Sequence, residues 1–474
     1  MADPCQYITQ QADDMQNGNT PVQLFTDLAT YDVIDNKIYA GHDAFNLFSK
    51  AVRKAGWTAR TPLPLIQMAQ GSFGETQTHE VPRTVDYLGF SWLHWKTPLL
   101  QSANGYQLRW TPKLGFYVFQ EIQVMSNELP ITTIYPEVLD FESELLVDEG
   151  KYEGLMYMIG HRPSLMNPYI NLGQAQTANG SRDLPSEWIT SPFSCWFTKK
   201  ANDHLPIAAM SFNTVTFKAK VRDLSEILIA DNIQNTPQGW VVTSINKSLS
   251  SSMIANQGSN IKMGRVQSFA MIVQMPNRDR KIIARTPSID LLIQQTNRII
   301  SYNYDTKRGQ LKTDIRFTQP VRAIYYGLRN ATYPSEWGNW TDRATEPLPS
   351  PLFGVDFAPL RVDHPIAGAR IDYDVQARVT MTQDFYAYLV PYLSCLRIPR
   401  SKGYGLWSYA LWLDGNQPDM SANFSRISNP TLVIQPNCWA SDPLNTANTY
   451  NLHVMCVAWN NFRVTLGSGS FGCS

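Results

Sequence analysis

The chain is 474 residues long and carries 40 Lys plus Arg against 40 Asp plus Glu, a formal net charge of +0. A surface that holds nucleic acid needs a basic excess to meet phosphates, so direct genome packaging is disfavoured. With 17% charged and 12% aromatic residues, 30 Pro and 27 Gly, the composition points to strands and turns with little helix surface, and the length predicts two β domains rather than one core.

In chain order, residues 1 to about 22 are polar and read as a flexible arm. The start, MADPCQYITQQADDM, lacks the character of a signal peptide, and no window approaches the ~20 apolar residues of a membrane helix, so a soluble chain is expected. From Asp43 to Ala55, Ala44, Phe45, Leu47, Phe48, Ala51 and Val52 fall at helical spacing behind a candidate Asp43 N-cap, closing an N-terminal segment at residues 1–55. Strands are predicted from Thr61 to Ile229, with alternation clearest over Tyr117–Met125 and Thr214–Val221. They are interrupted by an acidic helix in PEVLDFESELLVDEGKYEGLMYMIG, with Val138, Phe141, Leu145 and Leu146 on one side, and by a polar loop from about Asn171 to Ser186. These make a first domain at 56–229. The turn-rich stretch ADNIQNTPQG, 230–239, is read as a linker, and the second domain spans 240–474. Its predicted strands lie near Trp240, Val266–Met275, Ile289–Tyr304 and Ile315–Leu328, then after a long Pro-rich loop at about 330–368 placed on the outer surface.

A search for chemistry returns little. The tail GSGSFG matches G-x-G-x-x-G but no helix follows, so its glycines are assigned to tight turns or close backbone packing. His42, His79, His94, His161, His204, His364 and His453 form no H-x-H or H-E-x-x-H arrangement, and Cys5, Cys195, Cys395, Cys438, Cys456 and Cys473 form no C-x-x-C pair. The cysteines are therefore expected to be free thiols of a cytosolic product, and no metal, cofactor or catalytic residue is predicted. Glu142, Glu144, Asp148 and Glu149 are read as a solvated helix face. Sequons at Asn179, Asn246, Asn330, Asn339 and Asn423 are candidate glycan acceptors. Tyr333, Trp337, Trp340 and Phe353 cluster in the long loop as candidate exposed aromatics, burying against a neighbouring loop or subunit or stacking on sugar.

Near its end the chain reads GYGLWSYALWL, then the turn DGNQPDMSA, then NFSRISNPTLVI, and further on TYNLHVMCVAWNNFRVTLGSGSFG. Here Leu406, Ser408, Ala410 and Trp412 alternate with Trp407, Tyr409, Leu411 and Leu413. Leu452, Val454, Cys456 and Ala458 likewise oppose His453, Met455, Val457 and Trp459, so strands with apolar atoms on both faces are predicted to be covered on both. This run, together with KTDIRFTQPVRAIYYGLRN, VDYLGFSWLHWKTP followed by Arg109-Trp110, TDLATYDVIDNKIYAG and VRKAGWTARTPLPL, resembles the major capsid proteins of nucleocytoplasmic large DNA viruses, the iridovirus, phycodnavirus and marseillevirus group. The chain departs from that pattern at Gln417-Pro418-Asp419-Met420, where members often show Gln-Pro-Ser-Gly, and at Asn127-Glu128-Leu129-Pro130, where a Gly-Gly-Gln turn is frequent.

The resemblance implies an all-β fold of two consecutive eight-stranded jelly rolls with a few short helices and long loops. It implies a structural protein rather than an enzyme: a homotrimer of pseudo-sixfold outline that tiles an icosahedral shell through capsomer–capsomer contacts. Minor capsid proteins, a penton protein and an inner membrane are the partners expected for the N-terminal arm, with no direct nucleic-acid contact. The protein is then expected in the virion and made in the host cytoplasm. The competing reading is a virion-surface, lectin-like β protein that binds carbohydrate through the Trp337 region.

Overall fold

The computed structural model describes residues 33–34, 56–69, 71–166, 183–236, 239–246, 248–255, 261–304, 309–342, 364–374, 376–415, 417–437 and 449–471. The chain divides into two units, Met1–Trp57 and Thr58–Ser474. In the first, a turn at Val33-Ile34 is described, so the arm and the helix read at 43–55 lie outside the described residues. The second unit carries the described sheets and helices.

Its first half is built from eight principal strands: Ala59–Pro64, Thr76–Glu80, Tyr87–Lys96, Phe119–Ser126, Leu129–Ile134, Trp188–Phe193, Val215–Val221 and Val266–Gln274. Numbered in that order, one sheet runs first-eighth-third-sixth and the facing sheet second-seventh-fourth-fifth, and the paired neighbours are antiparallel. The short strand Ile66–Ala69 extends the second sheet. The second half repeats this order. Ser288–Tyr304, Tyr450–Thr465, Pro320–Asn330 and Gly405–Ser408 form one sheet, and Leu311–Asp314, Thr431–Pro436, Ile366–Tyr373 and Gln376–Thr382 form the other. Two sheets wound in this sequence are a jelly roll. No residue-level repeat marks the duplication, yet the strand order is the same in both halves.

Period-2 patterning explains why these segments fold as they do. Along Val215–Val221, Val215, Phe217, Ala219 and Val221 are buried while Thr216, Lys218 and Lys220 face outward. Each fully buried apolar side chain contributes about 1.5–3 kcal/mol. Strand Tyr450–Thr465 is different, for every residue from Tyr450 to Trp459 is buried. Leu452, Val454, Cys456 and Ala458 enter the core between the two sheets of the second barrel, with Ile324, Tyr326, Ile371 and Ile434. Met455 and Val457 enter a separate cluster on the other face. Both faces are covered, as the doubly apolar sequence predicts.

Three expectations are corrected. The stretch read as a linker, 230–239, belongs to a hairpin of Leu228–Thr236 with Gly239–Ile245, whose inner strand pairs with Tyr106–Trp110. The closing strand of the first barrel, Val266–Gln274, comes after it, so the crossover to the second barrel runs through helix Asn277–Arg285. Polar turn residues signalled a chain reversal and not a domain end. Second, the alternation from Leu406 to Leu413 is strand only to Ser408, because the amides of Tyr409 and Ala410 both donate to the Arg322 carbonyl, 2.8 and 3.2 Å, and the chain curls away from the sheet. Third, within the 330–368 loop expected to be exposed, the stretch around Trp337 packs against the first half, hydrogen-bonding to Thr111 and Glu226, while residues 343–363 lie outside the described residues.

The described glycines of the tail, Gly467 and Gly469, behave as read. Leu466 and Gly467, at φ 49° and 82°, make the tight turn between Tyr450–Thr465 and Ser468–Phe471. A Cβ at Gly469 would collide with the Phe462 ring. Cys195, Cys395 and Cys456 are free and buried, and burial pushes each thiol up to about 12.

Candidate functional site at the junction of the two barrels

Helix Pro136–Leu145 starts with proline in its first turn, where a missing amide costs nothing, after the extended Tyr135. All ten of its residues are buried, although four are acidic. Val138, Phe141 and Leu145 pack with Ala323, Tyr325, Trp340, Tyr404, Leu406 and Met455 of the second barrel. Leu139 packs into the core of the first. The helix is thus a shared wall.

Isolated carboxylates in such a wall would cost several kcal/mol each, so each needs a partner. Glu137 accepts from Arg298 at 2.8 Å, with Arg222 and His453 each at 3.9 Å. Asp140 pairs with Lys113 and accepts hydrogen bonds from Tyr117 Oη at 2.6 Å and Trp340 Nε1 at 2.9 Å. Glu142 pairs with Lys199 at 2.8 Å. Glu144 binds Lys113 at 2.8 Å, Arg397 at 2.6 Å and the Tyr152 hydroxyl at 2.5 Å. Lys113, Tyr117, Tyr152, Lys199 and Arg222 belong to the first half, whereas Arg298, Trp340, Arg397 and His453 belong to the second. Each barrel neutralises part of the same helix.

Burial pushes the Glu137 carboxyl up, but the guanidinium groups of Arg298 and Arg222 outweigh it and hold it below the usual range. For Glu144, Lys113, Tyr152 and Arg397 overcome burial in the same way. Lys113 is held well above its ordinary value because Asp140, Tyr404 and Glu144 outweigh its burial. Burial lowers His453 to about 3 against the opposing pull of Glu137, with Arg329, Arg298 and Arg222 adding to the lowering, so this imidazole is neutral in the folded protein.

A second contact comes from the segment after Pro320–Asn330. Glu336 reaches Arg109 at 3.0 Å, and Arg109 also binds Asp231 at 2.8 Å, all three nearly inaccessible. Ser335 Oγ donates to the Ser225 carbonyl at 3.1 Å, the Trp337 amide to Thr111 Oγ1 at 3.1 Å, and Trp337 Nε1 to the Glu226 carbonyl at 3.0 Å. The guanidinium carbons of Arg222 and Arg329 each lie 3.4 Å from the centre of the Trp337 ring, hence one on each face. Gly338, at φ 77°, lets the chain pass where a Cβ would sit 2.9 Å from the Tyr117 ring.

The expected site residues are redistributed accordingly. Trp340 is 2% exposed, edge-on to Phe141, and Trp337 has both faces covered, so neither offers a ring for sugar stacking. Tyr333 is half-buried. Asn330 and Asn339 are buried and cannot accept a glycan in the folded chain. Asn330 Oδ1 accepts from the Thr332 amide, and Asn339 donates to Glu336 and accepts from Thr341. Asn246 is half-buried against Asn232, and Asn423 is exposed with its Oδ1 held by Ser425. Asn179 and Phe353 lie outside the described residues. Glu142 and Glu144, read as solvated, are buried ion-pair members, while Asp148 and Glu149 are exposed as read. The groove of about 320 Å³ beside the helix is lined chiefly by Phe90, Phe116, Leu139, Leu146, Leu155 and Met158. Its Lys199 and Glu142 neutralise each other. The chemistry at this junction is cohesion.

Comparison with known proteins follows the same division. Residues 46–261 match the family described as major capsid protein N-terminus, and residues 279–470 match the family described as large eukaryotic DNA virus major capsid protein. The chain belongs to the major capsid protein family of large eukaryotic DNA viruses. The major capsid protein of Frog virus 3 (isolate Goorha) is 26% identical over 469 residues, covering 94% of this chain and 97% of that one. That of Tipula iridescent virus is 28% identical over 420 residues, covering 87% of each. Among solved structures, the PBCV-1 virus capsid protein superposes with a TM-score of 0.68 at 17% identity, covering 90% of this chain and 100% of that chain. The Faustovirus major capsid protein gives 0.64 at 12% identity, covering 91% and 94%. The fold is the double jelly roll, and this capsid protein's role is to build the viral shell; the lectin-like reading is not supported.

The junction leads to two expected outcomes. Lys113→Met strands Asp140 and Glu144 without their shared cation and is expected to cost about 3–5 kcal/mol, against less than ~0.5 kcal/mol for the exposed Lys218→Met, as read by thermal or denaturant unfolding. Because His453 is neutral when folded and protonates near 6.5 when unfolded, the unfolded chain binds more protons below that pH, and acid destabilises the fold. The melting temperature is expected to fall as pH drops from 6.5 towards 4.5, more steeply below 4.5 as Glu137 and Glu144 lose their pairing, and His453→Gln is expected to flatten the upper part of that slope.

Proposed function

We propose that the shell is built from trimers in which two jelly rolls per chain supply six wedge-like units, giving a pseudo-sixfold capsomer that tiles a nearly flat facet. The observation that carries this reading is the repeated strand order of the two barrels, joined by a common charged helix into one body. Six similar wedges from three chains then surround a threefold axis, and barrel sides serve as contact surfaces. A net charge of +0 leaves little repulsion between copies at the density of a shell. In this reading the protein works without catalysis and is made in the host cytoplasm. Its N-terminal arm meets minor capsid proteins, a penton protein or an inner membrane on the inner face.

Light scattering coupled to size-exclusion chromatography tests the trimer. Three chains of 53.7 kDa predict a native mass of about 161 kDa. A monomer across the micromolar range would contradict it.

A further inference from the structure

The segment Phe385–Ser394, a π-turn at Phe385–Leu389 running into helix Val390–Ser394, carries apolar residues on both sides. Tyr386, Ala387, Val390, Pro391 and Ser394 are buried against the second barrel. Leu389, Tyr392, Leu393 and Leu396 point to solvent, 48%, 69%, 63% and 45% exposed. Leu389, Tyr392 and Leu393, at i, i+3 and i+4, share one outward stripe, and Leu396 follows just beyond the helix end. The loop after Gly405–Ser408 extends it, for the Leu413 amide donates to the Ser394 carbonyl at 2.9 Å and brings up Leu411 and Trp412, 65% and 43% exposed. Monomeric proteins rarely leave so many large apolar side chains together in water, and a patch beyond a few hundred Å² marks an interaction site.

The rim of the patch says what fits it. Lys402 pairs with Asp384 at 2.5 Å and Arg400 with Glu149 at 2.8 Å, and Lys200 donates to the Asp414 carbonyl at 2.8 Å, so the cations bordering the stripe are engaged within the chain. A nucleic acid or an anionic membrane would call for unpaired cations there. A central cluster of Leu, Tyr and Trp inside a neutral polar rim has the make-up of a protein–protein interface. A shell subunit with a net charge of +0 meets copies of itself first.

We propose that this face is the seat of the neighbouring copy of the same chain within the trimer. The proposal rests on the trimeric reading above. Because a threefold contact is heterologous, the stripe meets a different surface of the next copy and not its own counterpart.

The test compares native masses of the full chain and of the Tyr392→Glu and Leu393→Glu variants. The expected result is a trimeric parent and monomeric variants whose melting temperatures stay within about 2 °C of the parent. A monomeric parent overturns the trimeric reading itself, whereas trimeric variants beside a trimeric parent overturn only the placement of the contact. If the variants fail to fold, a photo-crosslinking amino acid at position 393 in the otherwise unaltered chain decides. A covalent pair of chains, joined from 393 to a site outside the stripe, supports the proposal, and adducts within one chain alone contradict it. Flotation with phosphatidylcholine vesicles supplies the remaining outcome: binding by the parent that Leu393→Glu abolishes would assign the face to lipid and overturn the proposal.

Discussion

The whole structure depends on four carboxylates buried on a single helix. Glu137, Asp140, Glu142 and Glu144 sit on one ten-residue helix packed between two barrels. A charge moved from water into such a place costs several kcal/mol unless opposite charges and hydrogen-bond donors meet it. Here the donors come from both sides, with Lys113, Lys199 and Arg222 from the first barrel and Arg298 and Arg397 from the second. Sliding one barrel against the other would leave buried anions short of partners. An apolar interface of the same size would resist separation equally well but would tolerate slippage, because dispersion contacts carry little directional preference. The ionic helix therefore fixes orientation as well as attachment, and the Trp337 clamp between Arg222 and Arg329 repeats that logic nearby.

Such fixity suits a shell component. A facet made of many copies accumulates angular error, so a subunit whose two wedges flexed independently would not present matched sides to its neighbours. With the acidic helix and the Glu336–Arg109 contact spent on internal cohesion, the surface left for assembly is the outside of the barrels. The buried thiols of Cys195, Cys395 and Cys456, raised to about 12 by burial, are held in the protonated, unreactive form.

Much of the fold was legible from the sequence because strands announce themselves by period-2 burial. Val215–Val221 and Phe119–Ser126 fall where alternation put them, and the doubly apolar run from Leu452 to Trp459 correctly implied a strand covered on both faces. The helix was legible too, from the spacing of Val138, Phe141 and Leu145. Its charges were not, because an acidic residue on a helix is ordinarily solvated, and nothing local announces that Lys113, 27 residues away, or Arg397, 253 residues away, will close over it. One signal was available: a helix flanked by basic residues on only one side of the sequence, in a chain with just 17% charge, concentrates acid where a surface helix would mix signs. The domain boundary was misplaced for a related reason. Asn235 and Gly239 mark a hairpin turn as readily as a linker, and the strand that closes the first barrel pairs with a distant part of the chain, as Val266 does with Trp95, beyond any local pattern. Exposure of the long loop was likewise inferred from its length and its Pro and aromatic content, whereas Trp337 and Trp340 are consumed by contacts with the first barrel and its helix.

The two jelly rolls form one cooperative body held by the buried acidic helix, and hydrogen–deuterium exchange across a denaturant series measures that cooperativity most directly. Amides of residues 139–145 and the strands of both barrels are expected to exchange together, through a single unfolding step, and Lys113→Met is expected to lower that step for both barrels by the same amount. Two separate steps, with one barrel opening while the other stays protected and the helix exchanging at the rate of a surface loop, would contradict it.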